Sequence, residues 1–258
     1  MNAICHLFQA PVRSEPSDKS EMVTQLLFGE TLTILEEKGN WLRISMHFDN
    51  YEGWIDRKQS KLLNDDFSEH IAVSTQFRLV DKINQVTDIS TGNAFLIGKG
   101  SKLPLTEGQK FRINEINYKC EGHIVEIPKK FIPEQVLQTA FDYLNTPYLW
   151  GGRSITGIDC SGLAQMVYLL NGVALPRDAA KQALEGTAID FTEEAIPGDL
   201  AFFDNEAGAI IHVGIIAGSG QILHASGNVK IDKLDHHGIY NSETASYTHK
   251  LRIIKRFR

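Results

Sequence analysis

The chain has 258 residues, of which 42% are hydrophobic, so it can bury one large core or two to three small ones. Its formal net charge of -6 provides no basic surplus for nucleic acid or anionic lipid, so we predict no nucleic-acid partner. Cys5, Cys120 and Cys160 are too widely spaced for a disulfide framework or a metal knuckle.

The N-terminal segment MNAICHLFQAPVRSEP has no basic start, no long apolar core and no small-residue cleavage site. It therefore predicts a strand rather than an export signal. No run approaches the roughly 18 apolar residues that a membrane helix needs, so we predict no membrane span. If the chain is complete, we expect a cytoplasmic location. A trimmed export signal would instead give a periplasmic or extracellular one.

The first half of the chain has the pattern of two small β-barrels. Its early strand-type runs, separated by turn residues, are AICHLF from Ala3, EMVTQLLF from Glu21, TLTILEE from Thr31, WLRISMHF from Trp41 and GWIDRK from Gly53. A looser series follows, with HIAVSTQFRLV from His70, AFLIGKGSKLPL from Ala94 and FRINEINY from Phe111. Short strands at this spacing are typical of small barrels. We predict one barrel over residues 1–64 and a second over residues 65–127.

The pattern turns helical after residue 127. Helical spacing and end signals predict helices over residues 133–144, 161–170 and 178–184. The later strand-type runs are DLAFFD from Asp199, AIIHVGIIAG from Ala209, GQILHAS from Gly220 and KLRIIKRF from Lys250. Helices followed by an antiparallel sheet predict an α+β domain over residues 128–258.

Cys160 lies where a glycine-rich loop turns into the second predicted helix. A helix N-terminus stabilises negative charge, and the thiolate is the nucleophilic form of cysteine. The neighbours Asp159 and Ser161 are polar and therefore poor companions for a purely structural cysteine. Local sequence leaves two interpretations open, a nucleophile or a small buried hydrophobe.

His212 and His224 lie in two strand-type runs joined by a glycine-containing turn. In a hairpin centred on Gly218 they would lie directly opposite each other on one face, unless the register slips. One imidazole could then act as a base and the second could orient it. A zinc site with Cys160 is the alternative, but the usual paired ligand spacing is missing, so we predict no metal and no cofactor. The other histidines, His249 among them, have no partner that the sequence indicates.

Five ordered motifs carry a family resemblance. They are PYLWGGRSITGIDCSGLAQMVY from Pro147, LPRDA from Leu175, PGDLAFF from Pro197, IIHVGII from Ile210 and LHASG from Leu223. Together they resemble the NlpC/P60 cysteine peptidase family over about residues 130–258. The resemblance implies a papain-like fold with Cys160 as nucleophile, His212 as base and His224 as its orienting partner. It also implies that the Tyr148 hydroxyl and the Cys160 backbone N–H stabilise the oxyanion.

The N-terminal half is similar to bacterial SH3-like domains, through RSEPSDKSEMVTQLLFGE from Arg13 and NYEGWI from Asn50. With the catalytic motifs it resembles the γ-D-glutamyl-L-diamino-acid endopeptidases, a group also called dipeptidyl-peptidase VI. These enzymes act in murein-peptide recycling: they cleave between γ-D-Glu and the diamino acid, L-Lys or meso-diaminopimelate, and require a free N-terminal L-Ala. The expected partner is therefore a small murein peptide.

The same resemblance implies a set of substrate-binding residues. It implies that the Glu21 carboxylate binds the ammonium group of the substrate, with Tyr51 beside it. Glu15 is the alternative carboxylate for this role. The residues that it implies for the dipeptide pocket are Trp150, Asp159, Ser161 and Asp178. Ala179 stands where the family often has serine, which removes one hydrogen bond.

Three other functions compete with this prediction. The first is a remodelling endopeptidase that acts on intact peptidoglycan stems, and the second is a murein-binding protein without activity. The third is acyl transfer to a lipid or an amine by an enzyme with a related fold. The presence of Cys160, His212 and His224 together argues against a purely binding protein.

Overall fold

The computed structural model describes residues 1–73 and 77–257, which form two compact units. Unit 1 contains Met1–Ile127 and Arg153–Ile155, and unit 2 contains Pro128–Gly152 and Thr156–Arg258. The division of residues 1–127 into two barrels at residue 64 stays a prediction. Among the described residues, no helix is both long and apolar enough to cross a bilayer.

Unit 1 begins with a seven-stranded antiparallel sheet. Its strands are β1 Asn2–Cys5, β2 Gln9–Arg13, β3 Met22–Leu27, β4 Thr31–Lys38, β5 Trp41–Met46, β6 Glu52–Asp56 and β7 Ser60–Leu62, with a 3-10 turn at Arg57–Gln59 before β7. The strand order is β3-β2-β6-β5-β4-β1-β7. Alternation along β5 shows why these residues form a sheet, because Leu42, Ile44 and Met46 point into the core while Arg43 is exposed.

The other described residues up to residue 127 form one helix and two smaller sheets. The elements are α1 Asp65–Val73, β8 Phe77–Leu79, β9 Ile83–Asp88, β10 Ala94–Gly98, β11 Lys102–Leu103, β12 Leu105–Glu107, β13 Lys110–Ile113, β14 Ile116–Cys120 and β15 Ile124–Glu126. The sheet orders are β10-β9-β14-β13-β12 and β11-β8-β15. A core that includes Phe67, Val86, Phe111 and Cys120 lies between these elements.

The run HIAVSTQFRLV was predicted as a strand, and that prediction is wrong for its first part. Residues 70–73 belong to α1, residues 74–76 lie outside the described residues, and only Phe77–Leu79 is a strand. The helix begins earlier than the run, because the Asn64 side chain accepts a hydrogen bond from the Phe67 N–H at 2.9 Å. Such a cap outweighs the β-propensity of a short apolar run.

The segment Arg153–Ile155 belongs to unit 1, and a buried ionic cluster holds its first residue there. Glu30 accepts hydrogen bonds from Arg153 at 2.9 Å and from Arg78 at 3.1 Å, and all three side chains are at most 4% exposed. Burial opposes ionisation of Glu30, but the charges of Arg153 and Arg78 outweigh it and lower the pKa of the carboxyl. Arg153 is therefore fixed within unit 1 by charge pairing.

Unit 2 has three α-helices and a seven-stranded sheet. The helices are α2 Val136–Phe141, which follows a 3-10 turn at Pro133–Gln135, α3 Cys160–Leu170 and α4 Ala179–Gln182. The strands of the sheet are β18 Thr187–Ile189, β19 Leu200–Asp204, β20 Ile210–Gly218, β21 Gln221–Ser226, β22 Asn228–Leu234, β23 Gly238–Asn241 and β24 Ser246–Arg256. Two short strands precede α3 in the chain: β16 Arg153–Ser154, whose residues belong to unit 1, and β17 Gly157–Ile158 of unit 2. A 3-10 turn at Thr192–Glu194 precedes β19.

The sheet of unit 2 is antiparallel, in the order β18-β24-β19-β20-β21-β22-β23. Because the long strand β24 also pairs with β23, the six strands from β19 to β24 close into a barrel. The helix α3 packs against β20 and β21. The predicted α+β layout of the second half is confirmed, and this packing brings the start of α3 to the strands that carry the two histidines.

Candidate active site

Cys160 is the first residue of α3. The preceding residue, Asp159, is the N-cap: its backbone is extended and its carboxylate accepts the Gly162 N–H at 2.7 Å. Cys160 is only 7% exposed. The prediction that this cysteine lies at a helix N-terminus is confirmed, and the dipole of α3 favours negative charge there.

The surroundings of Cys160 favour the neutral thiol until a base removes its proton. Burial, followed by the charge of Asp159, raises the pKa of Cys160 to about 11. Hydrogen bonds from the backbone N–H groups of Val213 and Ser161, and the charge of Arg177, act in the opposite direction. Because Val213 directly follows His212, the sulfur lies against the start of the histidine strand.

The side chains of His212 and His224 form a buried pair. Nε2 of His212 lies 2.9 Å from Nδ1 of His224, and the two residues are 5% and 1% exposed. Burial lowers the pKa of both imidazoles, for His212 with added repulsion from His249 and His224. Both rings are therefore neutral at neutral pH, which is the state that a general base requires.

The predicted register of the histidine hairpin is wrong. The observed pairs are Ile215 with Leu223 and Ile216 with Ile222, and this ladder sets His224 opposite Gly214 rather than His212. A bulge between Ile216 and Gly218 moves the turn along the chain. Because side chains alternate with a period of two, His212 remains on the same face as His224, as its diagonal neighbour.

Gly214 makes this diagonal pairing possible. A Cβ atom there would lie 2.6 Å from Ile222 Cδ1 and 3.0 Å from His224 Cβ, closer than normal packing allows. A side chain at this position would require Ile222 and His224 to shift. The absence of a side chain at Gly214 therefore leaves the space that His224 occupies in the pair.

We expect Gly214→Ala to lower kcat by about 10- to 100-fold, because a displacement of the orienting imidazole by a fraction of an ångström misaligns the base. Steady-state kinetics would measure the loss, with circular dichroism confirming that the variant is folded. Ile211→Val is the control, since Ile211 lies on the same strand and is 53% exposed. Equal kcat values for the two variants would contradict this role of Gly214.

The sequence reasoning missed Asp232, which contacts the outer nitrogen of the histidine pair. Nε2 of His224 lies 3.1 Å from Asp232 Oδ2, and the Lys230 ammonium lies 3.2 Å from the same oxygen. Asp232 belongs to β22, beside β21 in the sheet, where Ile222 is its register partner. The alternation in NVKIDKL could have indicated this strand, but not which of its residues reaches His224.

His249 is a second residue that the sequence did not indicate. Its ring stacks on that of His212, with centroids 4.1 Å apart and an interplanar angle of 28°. Burial, with the charges of His224 and Lys230, lowers the pKa of His249 to about 4. His249 therefore covers one face of the His212 ring as a neutral group.

Asp159 and Ser161, predicted to contact substrate, belong to a buried network around Arg177. The Arg177 guanidinium donates to both carboxylate oxygens of Asp159, at 2.6 and 3.0 Å, and to Ser161 Oγ at 2.8 Å. Oδ2 of Asp159, the oxygen that lies 2.6 Å from Arg177, also accepts the Gly151 N–H at 2.8 Å. These contacts fix the loop before Cys160 and the first turn of α3 as one piece. Substrate contacts by Asp159 and Ser161 stay predictions.

The remaining predicted site residues lie as follows. Burial, followed by the negative charges of a Cys160 thiolate and of Asp159, raises the pKa of Tyr148 to about 12. Trp150 is 60% exposed, and Asp178 forms an ion pair with Lys181 at 3.3 Å. Glu21 and Tyr51 belong to unit 1. Glu21 is exposed just before β3, and Tyr51 packs on the core beneath the seven-stranded sheet of that unit.

Two parts of the chain match family profiles. Residues 145–248 match the NlpC/P60 family, and residues 12–59 match the bacterial dipeptidyl-peptidase Sh3 domain. The first match spans Cys160, His212 and His224. The second lies within the first predicted barrel.

Relatives match along most of the chain. Dipeptidyl-peptidase 6 of Lysinibacillus sphaericus is 33% identical over 95% of this chain and 97% of its own length. Gamma-D-glutamyl-L-lysine dipeptidyl-peptidase of Bacillus subtilis is 31% identical over 78% of this chain and 71% of its own length. These relatives are peptidases by name and share both halves of the chain.

The fold is also that of solved structures. A crystal structure of an NlpC/P60 family protein from Bacillus cereus superposes with a TM-score of 0.83 at 21% identity and covers 99% of both chains. An NlpC/P60 endopeptidase from Photobacterium damselae gives a TM-score of 0.75 at 16% identity, over 98% of this chain and 70% of its own. At these identities the likeness shows the fold. The two family profiles and the relative that is 33% identical over 95% of this chain establish that the chain belongs to the NlpC/P60 family, as a peptidase with a bacterial SH3-like domain before its catalytic domain.

Proposed function

We propose that this peptidase hydrolyses the bond between γ-D-Glu and the diamino acid of murein peptides with a free N-terminal L-Ala, and releases L-Ala-γ-D-Glu. The observation that carries the hydrolytic chemistry is the buried thiol of Cys160 at a helix N-terminus, beside the hydrogen-bonded pair His212 and His224. The substrate class is supported by the relative named gamma-D-glutamyl-L-lysine dipeptidyl-peptidase, which matches both halves of the chain.

In the proposed mechanism, His212 takes the thiol proton of Cys160 as the sulfur attacks the γ-carbonyl carbon of D-Glu. The oxyanion that forms accepts hydrogen bonds from the Tyr148 hydroxyl and the Cys160 backbone N–H. Collapse of this intermediate breaks the C–N bond, and the leaving amine takes the proton from the His212 imidazolium. Water, deprotonated by His212, then hydrolyses the thioester and restores the thiol. His224 holds the His212 ring during both steps.

Substrate selection in this proposal depends on the free amine of L-Ala. A carboxylate is the natural partner of an ammonium group, and we assign this role to Glu21, with Tyr51 beside it. Trp150, Ser161 and Asp178 are the residues that we propose for the dipeptide pocket. Asp159 contributes mainly by fixing this pocket, because its oxygens already bind Arg177, Gly151 and Gly162.

We expect acetylation of the N-terminal amine of L-Ala-γ-D-Glu-L-Lys to lower kcat/KM by at least about 100-fold, because a site built for a charged donor is left unpaired by the neutral amide. Glu21→Gln should raise KM for the free peptide by about ten-fold or more. Glu15→Gln is the matched control and should leave KM unchanged. Product analysis by mass spectrometry would identify L-Ala-γ-D-Glu.

A second candidate function is an endopeptidase that acts on intact peptidoglycan stems. It is favoured by the relative named probable endopeptidase p60 of Listeria monocytogenes, which is 41% identical but over only 38% of this chain. Equal rates on free and acetylated peptides would support this candidate and contradict the first. Products in which an added amine replaces water would instead indicate acyl transfer.

A further inference from the structure

Asp232 lies at the far end of a chain of hydrogen bonds that starts at His212. Its carboxylate Oδ2 is 3.1 Å from His224 Nε2, and the other ring nitrogen of His224 is 2.9 Å from His212 Nε2. The Lys230 ammonium forms an ion pair with the same carboxylate at 3.2 Å. A carboxylate paired with an ammonium group has no proton to donate, so it can only accept from His224.

Because Asp232 can only accept, the positions of the ring protons on His224 and His212 are fixed as well. His224 must carry its proton on Nε2 to donate to Asp232, so in the neutral ring its Nδ1 is bare and can only accept. The partner of that Nδ1 is His212 Nε2, which must therefore be the donor across the 2.9 Å contact. The neutral His212 ring then has its bare nitrogen at Nδ1.

The resulting tautomer is the one that catalysis needs. Since Nε2 of His212 is occupied by His224, Nδ1 is the ring nitrogen that remains to accept the Cys160 proton. In the opposite arrangement His224 would donate from Nδ1, and His212 would carry its proton on Nδ1 and could not act as a base. Burial of both rings prevents water from supplying the missing partners.

We infer that Asp232 is a positioning residue that sets the tautomers of His224 and His212, so that Nδ1 of His212 carries no proton and can accept that of Cys160. Asp232 itself takes up no proton during the reaction. When Cys160 loses its proton, the charge on the His212 imidazolium is stabilised through His224 by the carboxylate. This inference rests on the proposed hydrolytic function only for its kinetic consequence, since the tautomers exist in the free enzyme.

The direct test needs neither a variant nor a substrate. In the full chain with 15N-labelled histidine, the nitrogen chemical shifts and their couplings to ring protons distinguish the two neutral tautomers at pH 7.5. We expect both His224 and His212 to carry the proton on Nε2. A proton on Nδ1 of either ring would overturn the inference, whatever the enzyme hydrolyses.

The kinetic test compares two variants that each remove one carboxylate charge. The Asp232→Asn amide can donate to His224 and release the tautomer, so we expect kcat on L-Ala-γ-D-Glu-L-Lys to fall by about 10- to 1,000-fold with little change in KM. The same variant should show His224 with a proton on Nδ1. Asp235→Asn, in the turn after the same strand, should keep kcat within about two-fold, because in that turn the Asp235 carboxylate accepts hydrogen bonds from the His237 N–H and the Tyr247 hydroxyl. A kcat for Asp232→Asn that matches this control would overturn the inference.

Discussion

Replacing Cys160 by alanine should lower kcat on the murein tripeptide by about 10⁴-fold or more, because removing a nucleophile eliminates the covalent route and leaves only binding and oxyanion stabilisation. The backbone N–H of residue 160 and the Tyr148 hydroxyl remain in this variant, so substrate affinity should persist. Isothermal titration with the intact tripeptide would show binding without product. Turnover by the variant at more than about a hundredth of the normal rate would contradict the proposed mechanism.

The other two cysteines provide the matched controls. Cys5 and Cys120 are both fully buried in cores of unit 1, and burial raises the pKa of Cys5 to about 12 and that of Cys120 above its ordinary value. Both behave as small hydrophobic residues, so Cys5→Ala and Cys120→Ala should keep kcat unchanged while losing some stability. One equivalent of an alkylating analogue should inactivate the enzyme through Cys160.

Local signals in the sequence were sufficient to predict the position of Cys160. The glycine-rich loop and the apolar spacing from Leu163 are encoded within about a dozen residues, and the structure has α3 where they predict it. The common face of His212 and His224 was also predictable, because a strand alternates with a period of two whatever its register. Local pattern was therefore enough to place the cysteine at a helix start and the two histidines on one face of a sheet.

The features that the sequence could not reveal depend on how the strands pair in the sheet. The bulge before Gly218 changes which residue lies opposite His224, and the room provided by Gly214 is visible only once the strands are paired. Asp232 reaches the site because β22 lies beside β21, and His249 because β24 lies beside β19, which in turn pairs with the His212 strand. Such neighbours are fixed by sheet topology, which local propensity does not determine.

Loss of Arg177 should have the largest effect on stability. Its side chain is 2% exposed and donates two hydrogen bonds to the Asp159 carboxylate, which is itself 8% exposed. We expect Arg177→Met to lower the free energy of unfolding of unit 2 by about 3–5 kcal/mol, because it leaves a buried carboxylate without a counter-charge. Hydrogen-exchange mass spectrometry of α3 peptides across a urea series would measure this loss.

Two comparisons separate the orphaned charge from a general loss of packing. Lys181→Met removes the ion pair with Asp178, whose partners are 63% and 42% exposed, and should change the free energy of unfolding by less than about 1 kcal/mol. Adding Asp159→Asn to Arg177→Met keeps an oxygen to accept the Gly162 N–H but removes the buried charge. The double variant should therefore be more stable than Arg177→Met alone. If the double variant is instead the less stable of the two, Arg177 supports the start of α3 through its packing and its contact with Ser161 rather than by neutralising Asp159.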